Sequence, residues 1–299
     1  MPGEFHFTKE IPPLPIRGED AHKGRVGRIV VIGGQTGELA MIGAVALTIN
    51  AAYRAGAGLV RAIVPNDIVN PIATLAPGAT FAALVDHADT LLRHTQSYKA
   101  DVLAIGPGMG RSLSRSTLLT LVDGFDGNIV LDADALTVLG DGPTPSISNP
   151  QRVVLTPHHG EMLRLLRNAE SVDQEGLDRT DHPGRIETAK ILHETYRTTC
   201  ILKGHRTIVT NGDRLYVNET GNAGMATGGS GDVLTGLIAA LIGQGMETLE
   251  AAILGTYVHG LAGDFAAEEM GRISLVAQDL LTYLPESFRE YESNATDLP

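Results

Sequence analysis

Short apolar runs recur along the first two thirds of the chain, and each ends at glycine, proline or a polar residue. Stretches with helix-like spacing or many small residues separate them. A strand that is apolar at nearly every position is buried on both faces, which is typical of a parallel sheet covered by helices. The pattern therefore predicts a three-layer α/β/α fold with a mostly parallel central sheet. The predicted strands are 28–32, 59–64, 102–105, 129–131 and 153–155.

The pattern changes in the last third of the chain. Two apolar runs, 207–210 and 215–217, flank Asn211-Gly212, a dipeptide typical of a two-residue β-hairpin. We therefore expect an antiparallel margin on the sheet, followed by mainly helical sequence from Gly231 to Glu286. With no linker or repeat, the sequence predicts a single domain over 1–299, with an N-terminal tail (1–23) and a frayed C-terminal tail (290–299).

Chemically special residues directly follow five of the apolar runs. In open α/β sheets ligands bind outside the carboxyl ends of the strands. These turns lie at those ends, so together they predict one shared crevice. The five turns are Gly33-Gly34, the glycine-rich segment 106–110, Asp132, His158 and Lys203-Gly204.

The charge and composition of the chain argue against several classes of protein. The formal net charge is −12, which argues against nucleic-acid binding and against adhesion to anionic membranes. No run approaches the about 18 apolar residues of a membrane span, and no signal-peptide core is present, so we expect a cytoplasmic protein. The single cysteine, Cys200, excludes an internal disulfide and a cysteine-built metal site.

The strongest local signal is a glycine-rich loop within 221–236 that opens a predicted helix. Converging backbone N–H groups at a helix N-terminus form a site for phosphate or for charge that develops during phosphoryl transfer. Asp232 lies in the first helical turn, where it is either a cap or the base that takes a hydroxyl proton. Neither the Walker Gly-Lys-Ser/Thr pattern nor the protein-kinase His-Arg-Asp pattern occurs. The expected anion hole consists of Gly228, Gly229, Ser230 and Gly231.

The segments 222–236, 156–161 and 203–207 together resemble the ADP-dependent NAD(P)H-hydrate dehydratases, which are carbohydrate-kinase-like proteins of the ribokinase superfamily. The resemblance extends over about residues 24–284 and implies a ribokinase-like fold. It implies that ADP (or ATP), with Mg²⁺, phosphorylates the ring hydroxyl of the S epimer of hydrated NADH or NADPH (NADHX or NADPHX). Phosphate then leaves and the reduced cofactor returns. It further implies a possible homotetramer and a separate epimerase, with no epimerase domain in this chain.

The resemblance also implies residue roles. Asp232 would contact the ring hydroxyl and act as base. The hydrated-cofactor site would comprise Ala44, Gly108, Gly110, His158 and Asp232. The nucleotide site would comprise Lys203, Gly204, His205, Arg206, Thr207 and Gly231, with Lys203 able to neutralise phosphate. His159 replaces a proline of the family pattern, so either histidine of the pair is a candidate substrate contact.

Several roles stay open at this level. Asp134 is expected to cap the following helix, whereas Asp132 is either structural or functional. Glu161 would orient a water of Mg²⁺ or serve the next helix, and Asn222 would position phosphate or hold its loop. The metal ligands are therefore not assigned. The competing functions are a small-alcohol kinase, such as a hydroxyethylthiazole or hydroxymethylpyrimidine kinase, and a non-catalytic nucleotide-binding sensor.

Overall fold

The computed structural model describes residues 6–169, 172, 177 and 179–296. The strands in this part of the chain are β1 (His6–Thr8), β2 (Arg28–Ile32), β3 (Leu59–Val64), β4 (Thr80–Ala83), β5 (Val102–Ile105), β6 (Asn128–Leu131), β7 (Val153–Leu155), β8 (Thr199–Leu202), β9 (Ile208–Thr210) and β10 (Arg214–Val217). They form one sheet with the order β1-β10-β9-β8-β7-β6-β5-β2-β3-β4. Strands β2 to β8 pair in parallel with one another, as their apolar runs predict.

Helices cover both faces of this sheet. They are α1 (Gly43–Arg54), α2 (Val69–Leu75), α3 (Ala88–Tyr98), α4 (Arg115–Gly124), α5 (Ala133–Leu139), α6 (His159–Arg167), α7 (His182–Tyr196), α8 (Ser230–Gly243), α9 (Thr248–Met270) and α10 (Ala277–Thr296). One buried core contains residues of α1, α2, α8, α9 and α10, and the other contains residues of α3 to α7. Ile29 belongs to the first core and Val30 to the second, because successive strand residues face opposite sides. The predicted three-layer fold is confirmed.

The antiparallel margin is also confirmed. Strands β9 and β10 pair antiparallel around Asn211-Gly212, with Leu215 opposite Thr210. Strand β9 is also antiparallel to β8. The three-residue strand β1 extends this margin by pairing in parallel with β10.

Both predicted tails differ from the structure. Strand β1 lies within the expected N-terminal tail and belongs to the sheet, with Phe7 opposite Leu215. Helix α10 continues through Thr296, whereas the sequence predicts fraying from Glu290. Tyr291 anchors this helix to the N-terminal segment, because its hydroxyl donates to the carbonyls of Ile11 (2.9 Å) and Pro12 (3.0 Å). Residues 1–5 and 297–299 of the two predicted tails lie outside the described residues.

Helix α1 packs inside the molecule against α8, and this contact positions the site. A Cβ at Gly236, in α8, would overlap the carbonyl oxygen of Thr48, so glycine lets the two helices approach closely. The Thr48 hydroxyl donates to the carbonyls of Ala44 (2.9 Å) and Asp232 (3.1 Å). The first turn of α8 is therefore fixed against α1. Within the described residues, the helices are all too short or too polar to span a bilayer.

Candidate active site

A cavity of about 680 Å³ lies at the carboxyl ends of β6, β7 and β8, beside the N-terminus of α8. The glycine-rich loop, the segment after β8 and the turn after β7 all contribute to its wall. The predicted site residues that line it are His158, Lys203, Gly204, His205, Arg206, Thr207, Gly229, Ser230, Gly231 and Asp232. The structure thus brings the expected anion hole and the expected nucleotide segment together, whereas Gly228 lies outside the lining of this cavity.

The glycine-rich loop turns sharply into α8. Gly229 is the N-cap residue with φ +95°, a left-handed conformation that favours glycine, and a Cβ there would displace Leu47 Cδ1, 2.5 Å away. Helix α8 begins at Ser230, and Asp232 lies in its first turn. Its N-cap residue is a glycine, so no N-cap side chain bonds the first turn. The environment of the Asp232 carboxylate bears on whether it acts as a cap or as a base.

The carboxylate of Asp232 is half-buried among other charges. Burial, reinforced by Asp132, Asp134 and Glu161 and opposed by Lys203, raises its pKa to about 7. A carboxylate that titrates near neutral pH can accept a proton from a hydroxyl group and release it again. The environment of the Asp232 carboxylate therefore suits the role of a general base better than the role of a helix cap.

Asp132 is fully buried beneath the cavity. Its Oδ1 accepts hydrogen bonds from the hydroxyl of Thr156 (2.7 Å) and from Lys203 Nζ (2.5 Å), and its Oδ2 accepts one from the hydroxyl of Thr235 (2.8 Å). A buried charge that is paired and fully hydrogen-bonded holds its partners in one geometry. We infer that Asp132, left open by the sequence, fixes the ammonium group of Lys203.

Lys203 lies mostly buried beside the anion hole. Its Nζ is 3.9 Å from Glu161 Oε2, and a Cβ added to Gly231 would lie 3.1 Å from it. Burial alone lowers the pKa of Lys203, but the carboxylates of Asp132 and Glu161 outweigh burial and raise it. The ammonium is therefore charged and adjacent to Gly231. The alternative of an exposed lysine after a strand is wrong.

His158 and Glu161 cap helix α6 reciprocally. His158 Nδ1 accepts from the backbone N–H groups of Gly160 (3.0 Å) and Glu161 (3.3 Å), while Glu161 Oε2 accepts from the N–H of His158 (2.8 Å). Both side chains also line the cavity. His159 is the first residue of α6, outside the lining, and its Nδ1 is buried without a partner. Of the two histidines, His158 has the position of a ligand contact.

Ala44, Gly108 and Gly110 lie outside the lining of this cavity, and we call these three residues the glycine wall. A Cβ on Gly108 would lie 2.8 Å from Met41 Cβ and 3.2 Å from Ala44 Cβ. The glycine wall adjoins Gly33-Gly34, since the N–H of Gly34 donates to Pro107 O (2.9 Å). The single predicted crevice is thus divided between the cavity and this neighbouring wall.

Asp134 serves the glycine wall. Its Oδ2 accepts a hydrogen bond from the N–H of Gly110 (2.8 Å), whereas the N-cap position of α5 is Asp132. The prediction that Asp134 caps the helix is wrong, because its side chain is used to hold the loop after β5. The wall is connected to the first turn of α8 through the Thr48 hydroxyl, which bonds the backbone carbonyls of Ala44 and Asp232.

The sequence model of the NAD(P)H-hydrate dehydratase family matches residues 29–286. The chain belongs to this family. The match covers the cavity, the glycine wall and every strand of the sheet except β1 and the first residue of β2.

Similar proteins of this dehydratase family are named as enzymes that act on NAD(P)H hydrate. It is 40% identical over 290 residues to the bifunctional NAD(P)H-hydrate repair enzyme of Moorella thermoacetica, covering 93% of this chain but only 52% of that relative. It is 39% identical over 258 residues to the ADP-dependent (S)-NAD(P)H-hydrate dehydratase of Neisseria meningitidis, covering 85% of this chain and 82% of that one. The chain thus spans about half of the bifunctional relative.

A solved structure extends the likeness to three dimensions. The ADP/ATP-dependent NAD(P)H-hydrate dehydratase of Bacillus subtilis, co-crystallised with ATP/Mg²⁺, is 26% identical, and the superposition has a TM-score of 0.74. It covers 93% of this chain and 94% of the Bacillus chain. The ribokinase-like fold expected from the resemblance is therefore confirmed.

Three residues near the site of this dehydratase-family chain are not predicted from the sequence. The guanidinium of Arg185, on α7, donates to the carbonyls of Leu202 (3.1 Å), Lys203 (3.3 Å) and His205, and so shapes the nucleotide segment. His259 and Asp264 lie on α9 and contact the glycine-rich loop. The pattern His-Gly-x-x-Gly-Asp at 259–264 is a signal that could have found them, since glycines inside a helix require a reason.

Proposed function

We propose that this chain is an ADP-dependent dehydratase that restores NADH or NADPH from the S epimer of the hydrated cofactor. The observation that carries the proposal is Asp232, a carboxylate in the first turn of α8, directly after the glycine-rich loop, with its pKa raised to about 7. Lys203 lies on the other side of Gly231 and supplies fixed positive charge. The family and the name of the Neisseria relative support the substrate and the phosphoryl donor.

The reaction begins with phosphoryl transfer. Asp232 takes the proton of the ring hydroxyl as the hydroxyl oxygen forms a bond to the terminal phosphorus of ADP, and the bond from that phosphorus to AMP breaks. The ring C–O bond then breaks with its electrons leaving on phosphate. Loss of a proton from the adjacent ring carbon restores the double bond. Hydroxide leaves poorly at neutral pH and phosphate leaves well, so the nucleotide drives the dehydration.

The protein groups divide this work between two surfaces. In the cavity, the backbone N–H groups of the anion hole and Lys203 stabilise the charge on the transferred phosphoryl group. The nucleotide lies along the segment after β8, from Lys203 to Thr207, which Arg185 holds in place. The glycine wall and His158 receive the hydrated ring.

The residues present fit Mg²⁺ that arrives with the nucleotide. Among the described residues, no group of three or more His, Cys, Asp or Glu side chains could hold a metal ion. Mg²⁺ keeps several waters and is usually bound by one or two carboxylates together with substrate phosphates. Glu161, a carboxylate in the cavity lining, would hold a water of the ion. When bound, Mg²⁺ shields the phosphate charges and so favours transfer.

The proposal also includes the location of the protein, its assembly and a second enzyme that works with it. The protein acts in the cytoplasm, it assembles as a homotetramer, and it works alongside an NAD(P)H-hydrate epimerase that converts the R epimer. The bifunctional name of the Moorella relative supports the functional link to a second repair activity.

The decisive experiment follows the near-ultraviolet absorbance of the reduced nicotinamide ring with purified NADHX, Mg²⁺ and either ADP or ATP. Growth of absorbance only with nucleotide is expected, and the more effective nucleotide identifies the phosphoryl donor. No growth with either nucleotide, in protein shown to be folded, would favour the small-alcohol kinase. Nucleotide binding without turnover of either substrate type would favour the non-catalytic sensor.

A further inference from the structure

The glycine-rich loop lies directly on one face of α9. A Cβ at Gly260 would overlap Thr220, and a Cβ at Gly263 would overlap the sulfur of Met225. These two glycines therefore remove the side chains that would keep the loop away from the helix. Each glycine inside a helix costs about 1 kcal/mol relative to alanine, so two of them indicate that the close approach has a purpose.

Asp264 fixes the start of this loop. Its Oδ2 accepts from the N–H of Gly221 (2.8 Å), and its Oδ1 accepts from the amide of Asn222 (2.9 Å). The same amide donates to the carbonyl of Gly263 (2.8 Å). Asn222 thus holds the loop to α9, which is the structural alternative among the two roles expected for it.

His259 fixes the other end of the loop. Its Nε2 lies 2.9 Å from the carbonyl oxygen of Ser230, the first residue of α8. A carbonyl oxygen only accepts, so Nε2 carries the proton and donates. The ring is buried, with 8% of its surface exposed, and burial lowers its pKa to about 4. His259 is therefore a neutral donor at neutral pH.

The consequence for catalysis follows from the geometry of one peptide group. The carbonyl of Ser230 and the N–H of Gly231 belong to the same planar trans peptide, so they point in opposite directions. This peptide lies in the first turn of α8, and a donor that holds its carbonyl on one side also holds the Gly231 N–H in its direction on the other. Gly231 lines the cavity next to Lys203, where the transferred phosphoryl group would lie.

We propose that His259 is a positioning residue that aims the N–H of Gly231 at the transferred phosphoryl group. It acts through the Ser230 carbonyl and contacts no reacting atom. The inference rests on the proposed function, because an anion hole affects the rate only where such a transfer occurs. Loss of the hydrogen bond from His259 to the Ser230 carbonyl should weaken stabilisation of the transition state. It should leave the binding of ADP nearly unchanged.

The test compares two amide side chains of different reach. Glutamine places its amide nitrogen near the position of Nε2, whereas the shorter asparagine ends near the position of Nδ1. H259Q should keep kcat within a few-fold of the unmodified enzyme. H259N and H259L should lower kcat by on the order of 10- to 100-fold, with the KM for ADP within about threefold in all three variants.

A second histidine supplies the matched control. His193 Nδ1 bonds the carbonyl of Thr198 at 2.7 Å, on α7 and outside the cavity lining. H193L should lower the melting temperature without changing kcat. Equal kcat for H259Q and H259N, or a rise in the KM for ADP at unchanged kcat, would overturn the positioning role. An inactive unmodified enzyme would instead reject the proposed function, so the two failures are distinguishable.

Discussion

The cavity and the glycine wall lie at the same edge of the sheet but are built in opposite ways. In the cavity, charged side chains have fixed partners, and Asp132 alone accepts hydrogen bonds from Thr156, Thr235 and Lys203. The glycine wall consists of backbone and one methyl group, and an added Cβ on Gly108 or Gly110 would meet neighbouring atoms. The cavity is thus organised for charge and the wall for shape. We expect substitutions in the cavity to act on chemistry and nucleotide use, and substitutions in the wall to act on recognition of the hydrated ring.

The largest expected effect is that of D232N on the cavity. The amide cannot accept the hydroxyl proton, so kcat should fall by on the order of 10²-fold or more, while ADP still binds. Steady-state kinetics and calorimetric titration with ADP measure the two quantities. D134N is the matched control, because asparagine still accepts from the Gly110 N–H through its oxygen. If D232N turned over at a near-normal rate, Asp232 would be reduced to a structural residue.

A smaller effect is expected for the cation of the cavity. K203M keeps the length of the side chain but removes its charge, so kcat/KM for ADP should fall by roughly 10- to 100-fold. The KM for the hydrated cofactor should change less. The variant should also lose roughly 3–5 kcal/mol of stability, because the buried carboxyl group of Asp132 loses its charged partner.

The double variant D132N/K203M separates charge from stability. Replacing both members of a buried pair removes the unpaired charge, so the melting temperature should recover relative to K203M. Use of ADP should stay impaired, since the ammonium beside Gly231 is still missing. If K203M weakened binding of the hydrated cofactor more than use of ADP, the placement of the two ligands would be reversed.

The glycine wall should respond to G110A with about a tenfold rise in the KM for the hydrated cofactor, because an added methyl distorts a surface that fits by shape. A Cβ at Gly110 would overlap Gln35 Oε1, and φ is +54°. Gly245 is a matched control, with φ +98° and no atom within 4 Å of an added Cβ. Both variants should lose roughly 1–2 kcal/mol from left-handed strain. Equal KM values in the two variants would remove the wall from the substrate site.

The sequence predicts the parts of this comparison that depend on local pattern. Strands β2, β3, β5 and β7 have their predicted bounds, because an apolar run buried on both faces leaves little freedom. The glycine-rich loop and Lys203 are also visible as short motifs. The residues that hold these motifs in place are not visible in the sequence. Arg185 and His259 contact the motifs only because α7 and α9 pack next to them in the fold. Strand β1 is missed because three residues at a sheet edge carry no periodic signal.

The pH dependence offers the mildest way to sharpen the comparison. Asp232 must be unprotonated to act as base, so kcat/KM should rise tenfold per pH unit up to its pKa of about 7 and then level off. The charge of Asp134 contributes to the raised pKa, so D134N should move this limb to lower pH without lowering the plateau. A limb at the ordinary carboxylate pKa of 3.8 would contradict the burial argument.

The same raised pKa makes a prediction about stability with the opposite sign from catalysis. Folding favours the protonated form of Asp232, so its contribution to stability is fully present below pH 3.8 and is lost as the pH rises through about 7. D232N carries no charge at any pH. It should therefore melt at a higher temperature than the unmodified protein at pH 8, and the gap should close on acidification. A pH-independent gap would show that the amide acts through packing, and the carboxylate would then owe its place in the cavity to shape, as the glycine wall does.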